Sequence, residues 1–183
     1  MFIVGTNENE ITNIVTMLRS SFSEGNDDIS SKIVKNVIIE IASPLSMAFN
    51  ASLSTETFPD KLKIAKIVPI YKSDDRLLVN NYRPISFLQF FSKILERMMY
   101  NRLLKFLNDN NIQINNQYGF REGHSTYMAL LRMVNDITKE MDNKNFAIGI
   151  FIDLSKAFDT VDHSLLINKC SIMESEASLF GGS

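Results

Sequence analysis

Apolar residues recur every three or four positions in the first third of the chain, the spacing of helices with one buried face. The first such face is formed by Ile11, Ile14, Val15 and Leu18. A second face covers residues 33–41, and Ser43-Pro44 predicts a third helix over 45–53, because proline is tolerated in a first turn. Turn-forming residues at 25–28 separate the first two helices. The pattern therefore predicts three helices in this part of the chain.

The pattern changes over residues 64–72, where β-branched and basic residues replace the helical spacing. This segment predicts a strand, and Pro69 places it at a sheet edge or makes it irregular, because proline cannot donate a ladder hydrogen bond. A turn at 73–76 and a return segment at 81–86 follow. Together they predict a hairpin.

Two further amphipathic helices are predicted in the middle of the chain. The longer covers residues 90–107 and ends in the polar run 108–111. The second covers residues 126–141, after a glycine-containing loop at 117–125. Helices therefore outnumber strands.

Residues 146–153 form a continuous apolar run that ends on Asp153, which predicts a strand buried on both faces. A short helix is predicted over 164–170, capped either by Asp159 with Asp162 or by Thr160 alone. With the hairpin, this strand makes the predicted fold class α/β (α+β) and helix-rich.

Composition is that of a globular protein of about one domain, with 183 residues, 45% hydrophobic and 22% charged. No apolar run approaches the roughly 20 residues of a transmembrane helix. The first residues lack the basic flank and long apolar stretch of a signal peptide. We therefore expect no membrane partner.

Cys170 is the single cysteine, which excludes an internal disulfide and leaves it without a disulfide partner within the chain. This usage suits a reducing compartment, so we expect an intracellular protein of the nucleus or cytoplasm. Two histidines with one cysteine form no zinc-ligand cluster.

The net charge of −2 conceals an uneven distribution. Residues 61–125, called the basic segment below, carry 11 basic and 5 acidic side chains. Residues 1–60 carry 3 basic and 8 acidic side chains, and residues 126–183 carry 5 basic and 8 acidic side chains. The basic segment is able to hold a polyanion, or it is only a solvated surface; charge alone leaves both open.

Asp153 ends the predicted buried strand, where an unpaired carboxylate is costly. A divalent metal is one natural partner, since strand-end carboxylates that hold Mg²⁺ against a triphosphate serve phosphoryl transfer. The alternative is that the Asp153 carboxylate caps the turn that follows the strand. The strand pattern alone does not choose between them.

Four segments resemble, in the same order, the motifs of reverse transcriptases of LINE-type (non-LTR) retrotransposons. FPDKLKIAKIVPIYK at 58–72 and NNYRPIS at 80–86 resemble the fingers strand and fingers motif. QYGFREGHST at 117–126 resembles the template-proximal loop. FIDLSKAFDTVDH at 151–163 resembles the first palm motif. The likeness extends over roughly residues 8–170, and four matches in order are more specific than any one.

The resemblance implies a nucleotide site. Asp153 corresponds to a catalytic Mg²⁺ ligand, and the backbone at Leu154 to a contact with the incoming nucleotide. Phe158 corresponds to the aromatic gate that excludes a ribose 2′-hydroxyl; simple core packing is its alternative. Arg83 corresponds to a triphosphate contact, with a surface ion pair as its alternative. Lys66 is a further candidate for contact with the triphosphate, but three other lysines are equally plausible: Lys61, Lys63 and Lys72.

The resemblance also implies a template site. Gly119 and Gly123 would let the backbone approach RNA closely. Arg121 and His124 would touch its phosphates or sugars. His124 is disfavoured as a metal ligand because no cysteine or histidine lies near it, and His163 is interpreted as local structure at a helix start. The implied partners are an RNA template, a DNA primer and deoxynucleoside triphosphates.

The resemblance divides the chain into a helical N-terminal extension at 1–57, a partial reverse transcriptase domain at 58–170 and a divergent tail at 171–183. The expected architecture is the fingers and first part of the palm of a right-hand polymerase. The family's later Tyr/Phe-x-Asp-Asp motif is absent, since the Asp-Asp pairs lie at 27–28 and 74–75, in predicted loops. We therefore expect a truncated RNA-directed DNA polymerase domain with an incomplete Mg²⁺ site. The family is enzymatic, but this chain is expected to be inactive alone.

Three alternatives stand beside this interpretation. A haloacid-dehalogenase-like phosphatase requires a second aspartate two residues after Asp153, where Ser155 stands. A non-catalytic nucleic-acid-binding module derived from a retrotransposon is favoured over a working polymerase by the missing motif. An unstable relic without function is the third, because missing palm strands would leave residues 146–152 as an open apolar edge.

Overall fold

The structure, a computed structural model, describes residues 4–19, 25–110, 112, 116–154 and 157–180, with the side chains of the last helix described to residue 173. Asn111 at the predicted helix end, Ser155 and Lys156 of the palm-like motif and the last three residues of the tail lie outside this part. The chain divides into two compact units, Met1–Phe106 and Leu107–Ser183. Each is described by itself.

The first unit opens with three helices. Helix α1 covers Glu8–Met17 and is capped by Asn7, whose side chain accepts a hydrogen bond from the Glu10 amide. Helix α2 covers Ser31–Asn36, and α3 covers Ile38–Ser54. The turn predicted at 25–28 is present, with Asp28 at a positive φ of 53°.

The predicted break between the second and third helices was placed wrongly. Pro44 lies inside α3, and the break falls at Val37, whose φ of −114° and ψ of 12° end α2. Proline removes one intrahelical hydrogen bond. The buried residues Ala42 and Phe49, on either side of Pro44, anchor α3 in the core and stabilise the helix across this defect.

The predicted hairpin is confirmed. Strand β1, Ala65–Tyr71, pairs antiparallel with β2, Tyr82–Leu88. Pro69 lies opposite Pro84, so the two residues that cannot donate share one ladder position. A two-stranded ribbon has only edges, which explains why it tolerates both prolines.

Helix α4, Phe90–Asp109, confirms the long amphipathic helix. Its inner face packs against the first three helices in one apolar core. The buried residues of this core are Ile11, Ile14, Val15, Val34, Ile38, Phe49, Phe90, Ile94, Leu95 and Met98. All of them belong to the first unit.

The second unit contains two helices in its described residues. Helix α5, Thr126–Asp142, is capped by Ser125, and α6 covers His163–Phe180. Asp162 caps α6 by accepting hydrogen bonds from the Ser164 and Leu165 amides, which confirms its part in the predicted cap of Asp159 with Asp162. The prediction ended α6 too early, at residue 170.

The predicted buried strand at 146–153 is wrong. The segment forms no strand, and its side chains are exposed, with Phe146 at 99% and Ile152 at 80%. A strand needs a neighbour to accept its backbone hydrogen bonds. Within the described residues the only sheet is the β1–β2 ribbon of the first unit, so the apolar run has no sheet to join.

The described part of the chain is therefore helix-rich with one small two-stranded sheet, and the prediction that helices outnumber strands is confirmed. None of the described helices combines the length and the apolar character needed to cross a bilayer.

Candidate functional site

The two basic candidates of the first unit share one face of the ribbon. Lys66 lies opposite Phe87, and Arg83 lies opposite Ile70. Opposite residues of an antiparallel pair point to the same side, as do alternate residues along each strand. This surface, called the ribbon face below, carries Lys66, Val68, Ile70, Arg83, Ile85 and Phe87.

Arg83 and Lys66 are both exposed on the ribbon face. No ion pair to either residue occurs among the described residues, so the surface ion pair considered for Arg83 is not formed there. Lys63 differs, because its ammonium lies 2.7 Å from the Asp60 carboxylate. Hydrogen bonding by Lys63 lowers the pKa of Asp60. Among the described residues Lys63 is therefore paired with a carboxylate, whereas Lys66 is not.

Arg102 lies in the basic segment but is committed to a structural role. Its side chain is 10% exposed and contacts both Glu10 carboxylate oxygens at 3.0 Å. It also donates to the backbone oxygens of Val4, Gly5 and Met98. All five guanidinium donors are used, so Arg102 adds no free cation to a nucleic-acid surface.

Asp153 and Leu154 lie in an irregular, exposed stretch of the second unit. A carboxylate has the hard oxygen donors that Mg²⁺ prefers, but Mg²⁺ takes six ligands. No group of three or more acidic, histidine or cysteine side chains able to hold a metal occurs among the described residues. Asp153 therefore fits one position of a magnesium site, and the described residues do not fit the whole site.

Phe158 is exposed, at 77% of its surface, so the core-packing alternative is wrong. Its ring meets the ring of Phe120 edge to face, with centroids 5.7 Å apart and planes at 90°. Phe120 was not singled out from the sequence. The signal available was its position directly after Gly119 in the template-like loop.

The template-like loop at 117–125 is irregular, as predicted, and has a defined backbone. Gly123 has a φ of +73°, a conformation that favours glycine, and the space around Gly119 is open. His124 stacks at a tilt on Tyr118, with centroids 5.8 Å apart, and its Nδ1 lies 3.1 Å from the Glu122 carbonyl oxygen. Arg121 is half-buried and already engaged in a contact.

The second unit also contains an open groove of about 770 Å³. Its lining includes Arg132, Asp136 and other residues of α5, together with residues 147–149 and Phe151. Sequence reasoning did not anticipate this groove, because it assigned residues 147–151 to a buried strand.

The predicted site residues thus fall into two groups. Lys66 and Arg83 belong to the first unit. Asp153, Leu154, Phe158 and the four loop residues Gly119, Arg121, Gly123 and His124 belong to the second. Convergence of the two groups on one nucleotide, with Asp153 beside the Arg83 segment, stays a prediction.

Comparison with known proteins supplies the family. Residues 70–178, more than half of the chain, match the model of the family described as "Reverse transcriptase (RNA-dependent DNA polymerase)". The chain belongs to this reverse transcriptase family. Its relatives place it in the non-LTR retrotransposon branch, which confirms the resemblance.

Three relatives from Drosophila melanogaster illustrate this placement. The "Probable RNA-directed DNA polymerase from transposon BS" and the "RNA-directed DNA polymerase from mobile element jockey" are each 34% identical over 161 residues, 87% of this chain. A "Putative 115 kDa protein in type-1 retrotransposable element R1DM" is 28% identical over 94% of the chain. The chain spans about 18% of the length of the first two and 17% of the third.

Proposed function

We propose that this chain supplies the fingers and first palm segment of a LINE-type reverse transcriptase, carrying nucleotide- and template-binding side chains of an RNA-directed DNA polymerase. The family reaction is nucleotidyl transfer onto a DNA primer along an RNA template. The observation that carries the proposal is the family match over residues 70–178, which includes Arg83, Asp153 and Phe158.

The ribbon face supports the phosphate-binding part of the proposal. Lys66 and Arg83 project from the same side of two paired strands, and neither charge is neutralised by a described side chain. A planar guanidinium suits the oxygens of a phosphate group, and an ammonium adds a point charge beside it. This arrangement suits the incoming triphosphate or the backbone of the template.

The second unit supports the sugar- and template-binding part. The exposed ring of Phe158 is available to a ligand, as an aromatic gate requires. The loop at 117–125 offers open space over Gly119 and a glycine-dependent turn at Gly123. These features allow a close approach of a nucleic-acid backbone.

Divalent metal chemistry belongs to the family, and Asp153 would contribute one ligand. Because no group of three metal-ligating side chains occurs among the described residues, these residues do not complete a catalytic metal site. The chain alone then acts in nucleic-acid binding rather than in polymerisation. This non-catalytic binding role is the second candidate function, and the incomplete ligand set favours it.

The test is binding to a labelled single-stranded RNA, measured by fluorescence anisotropy at two salt concentrations. We expect weak affinity that is insensitive to sequence, about 10⁻⁴–10⁻⁶ M, and that falls steeply with salt. The double variant Lys66→Gln, Arg83→Gln should weaken binding and reduce the salt slope by roughly 0.7 for each phosphate that the protein no longer neutralises.

The matched control is the double variant Lys32→Gln, Lys139→Gln. It removes the same charge from two exposed lysines, one in each unit, outside the proposed surfaces. This control should bind RNA like the unchanged chain. Binding that ignores salt, or that responds equally to both double variants, would show that the ribbon face does not contact nucleic acid.

A further inference from the structure

The ring of Phe158 has little to hold it in place. It lies in a turn at 157–160 and is 77% exposed, so no core surrounds it. An exposed aromatic side chain exchanges rotamers unless a contact restricts it. The contact that the structure shows is the edge-to-face ring of Phe120, 5.7 Å away.

The backbone at Phe120 is strained. Its φ of +57° lies in the left-handed region, which is unfavourable for a residue with a β-carbon. Aromatic residues rarely adopt this conformation, and such strain concentrates at functional positions. In an exposed loop the left-handed backbone of Phe120 would relax unless the surrounding structure maintained this conformation.

Local hydrogen bonds maintain the loop around Phe120. The Gln117 side-chain amide donates to the Gly119 carbonyl oxygen at 3.3 Å, and the His124 amide donates to the Arg121 carbonyl oxygen at 3.2 Å. The left-handed turn at Gly123 brings the chain back at the end of this hydrogen-bonded loop. Because Phe120 is itself 88% exposed, its ring is directed at Phe158 rather than into a core.

We propose that Phe120 is a positioning residue for sugar selection: the loop holds its ring so that it fixes the orientation of Phe158 beneath the nucleotide sugar. The inference rests on the proposed function, because it assumes that Phe158 meets the sugar. It adds a link between the template-like loop and the nucleotide site. An edge-to-face pair contributes about 0.5–1.5 kcal/mol beyond area burial, enough to bias one ring orientation.

The experiment compares dATP with ATP, which differ only in the 2′-hydroxyl. Dissociation constants for both, in the presence of Mg²⁺, are measured by calorimetry on the full chain. The unchanged chain should prefer dATP, and Phe158→Ala should remove the preference. Phe120→Leu should reduce it by roughly two- to tenfold, the range that an edge-to-face pair supports. Phe120→Tyr keeps the ring and should retain the preference.

Coupling and contact are tested separately. The double variant Phe120→Leu, Phe158→Ala should discriminate no less than Phe158→Ala alone, since the two residues act as a unit. The chain contains no tryptophan, so Phe158→Trp introduces a single tryptophan at the gate, which can be excited selectively over the tyrosines. Adding Phe120→Leu to it should raise quenching of that fluorophore by acrylamide, because the covering ring is removed.

The outcomes distinguish the inference from the function on which it rests. If the unchanged chain binds neither nucleotide, or binds both equally, the proposed sugar gate fails and the inference fails with it. If dATP is preferred and Phe120→Leu leaves the preference unchanged, only the inference is overturned. Loss of RNA binding in Phe120→Leu without altered sugar preference would also overturn it, by assigning Phe120 to the template.

Discussion

Arg102 and Glu10 form a two-point ion pair that joins α4 to α1 across 92 residues of sequence, with both N···O distances at 3.0 Å. The Thr6 hydroxyl donates to the same carboxylate at 2.7 Å, and the Arg102 guanidinium also holds the backbone of Val4 and Gly5. The pair therefore anchors the N-terminal segment to the helical core of the first unit.

Arg102→Ala should lower the free energy of unfolding by roughly 2–4 kcal/mol, because the partly buried Glu10 carboxylate loses its charged partner and three backbone oxygens lose a hydrogen-bond donor. Urea unfolding followed by circular dichroism measures the change. Arg132→Ala is the matched control. It breaks an exposed ion pair with Asp136 on one helix, which solvent screens, so the loss of stability should be much smaller. Equal losses in the two variants would contradict the structural role of Arg102.

Gly25 packs against the chain just before α4, and a β-carbon there would lie 2.8 Å from the Gln89 Cα and 3.0 Å from its nitrogen. Backbone atoms cannot move aside as a side chain end can. Gly25→Ala should therefore cost about 1–3 kcal/mol of stability. Thermal unfolding tests this prediction, with Gly119→Ala as the control, since nothing lies within 4 Å of a β-carbon there. An unaltered melting temperature in Gly25→Ala would show that this contact is not close in solution.

The helices could be predicted because the spacing of their apolar residues indicates a helix face that packs against a core. In α1 and α4, residues such as Ile11 and Met98 are fully buried, so pattern and packing agree. Helix α5 was also located correctly, yet Leu131 and Val134 on its apolar stripe are about half exposed. Periodicity predicts that a segment is helical, but it does not supply the surface against which the helix packs.

Two wrong predictions, the strand at 146–153 and the helix break at Pro44, also arose because local sequence does not specify tertiary contacts. Residues 146–153 have the composition of a buried strand, but a strand depends on neighbours that local sequence does not specify. The break at Val37 involved no glycine or proline, so no local signal marked it. Two contacts that organise the units, Arg102 with Glu10 and Phe120 with Phe158, join positions far apart in sequence. A single sequence without aligned relatives carries no information on such pairs.

We predict that the chain alone does not extend a primer on an RNA template when supplied with Mg²⁺ and deoxynucleoside triphosphates. Two-metal chemistry needs carboxylates for both ions, and the Asp-Asp pairs at 27–28 and 74–75 lie far from Asp153 in sequence. A gel-based extension assay with a labelled primer measures the activity. Robust extension that Asp153→Ala abolishes and Asp136→Ala leaves intact would prove this prediction wrong.

The exposed apolar run at 146–152 leads to the last prediction, which concerns association of the chain with itself. Phe146, Ile148, Ile150 and Ile152 alternate along an extended segment and are each at least 80% exposed. No buried residue occurs in the described part of the second unit, so this surface is not covered from within. An apolar segment with unpaired backbone groups and no charge is a template for pairing with another chain.

We therefore expect self-association that grows with protein concentration and that Ile150→Lys reduces, because a charged side chain at the centre of the segment opposes pairing. Sedimentation velocity over a tenfold or wider range of concentration measures it. Ile39→Lys is the matched control: Ile39 is 82% exposed on α3, in the first unit, and Ile150 is 83% exposed. Both variants add the same charge in place of an equally exposed isoleucine, so a general effect of charge on solubility would act on both. Only Ile150→Lys should shift the distribution towards the monomer; equal shifts, or a chain that is monomeric throughout, would show that residues 146–152 do not drive association.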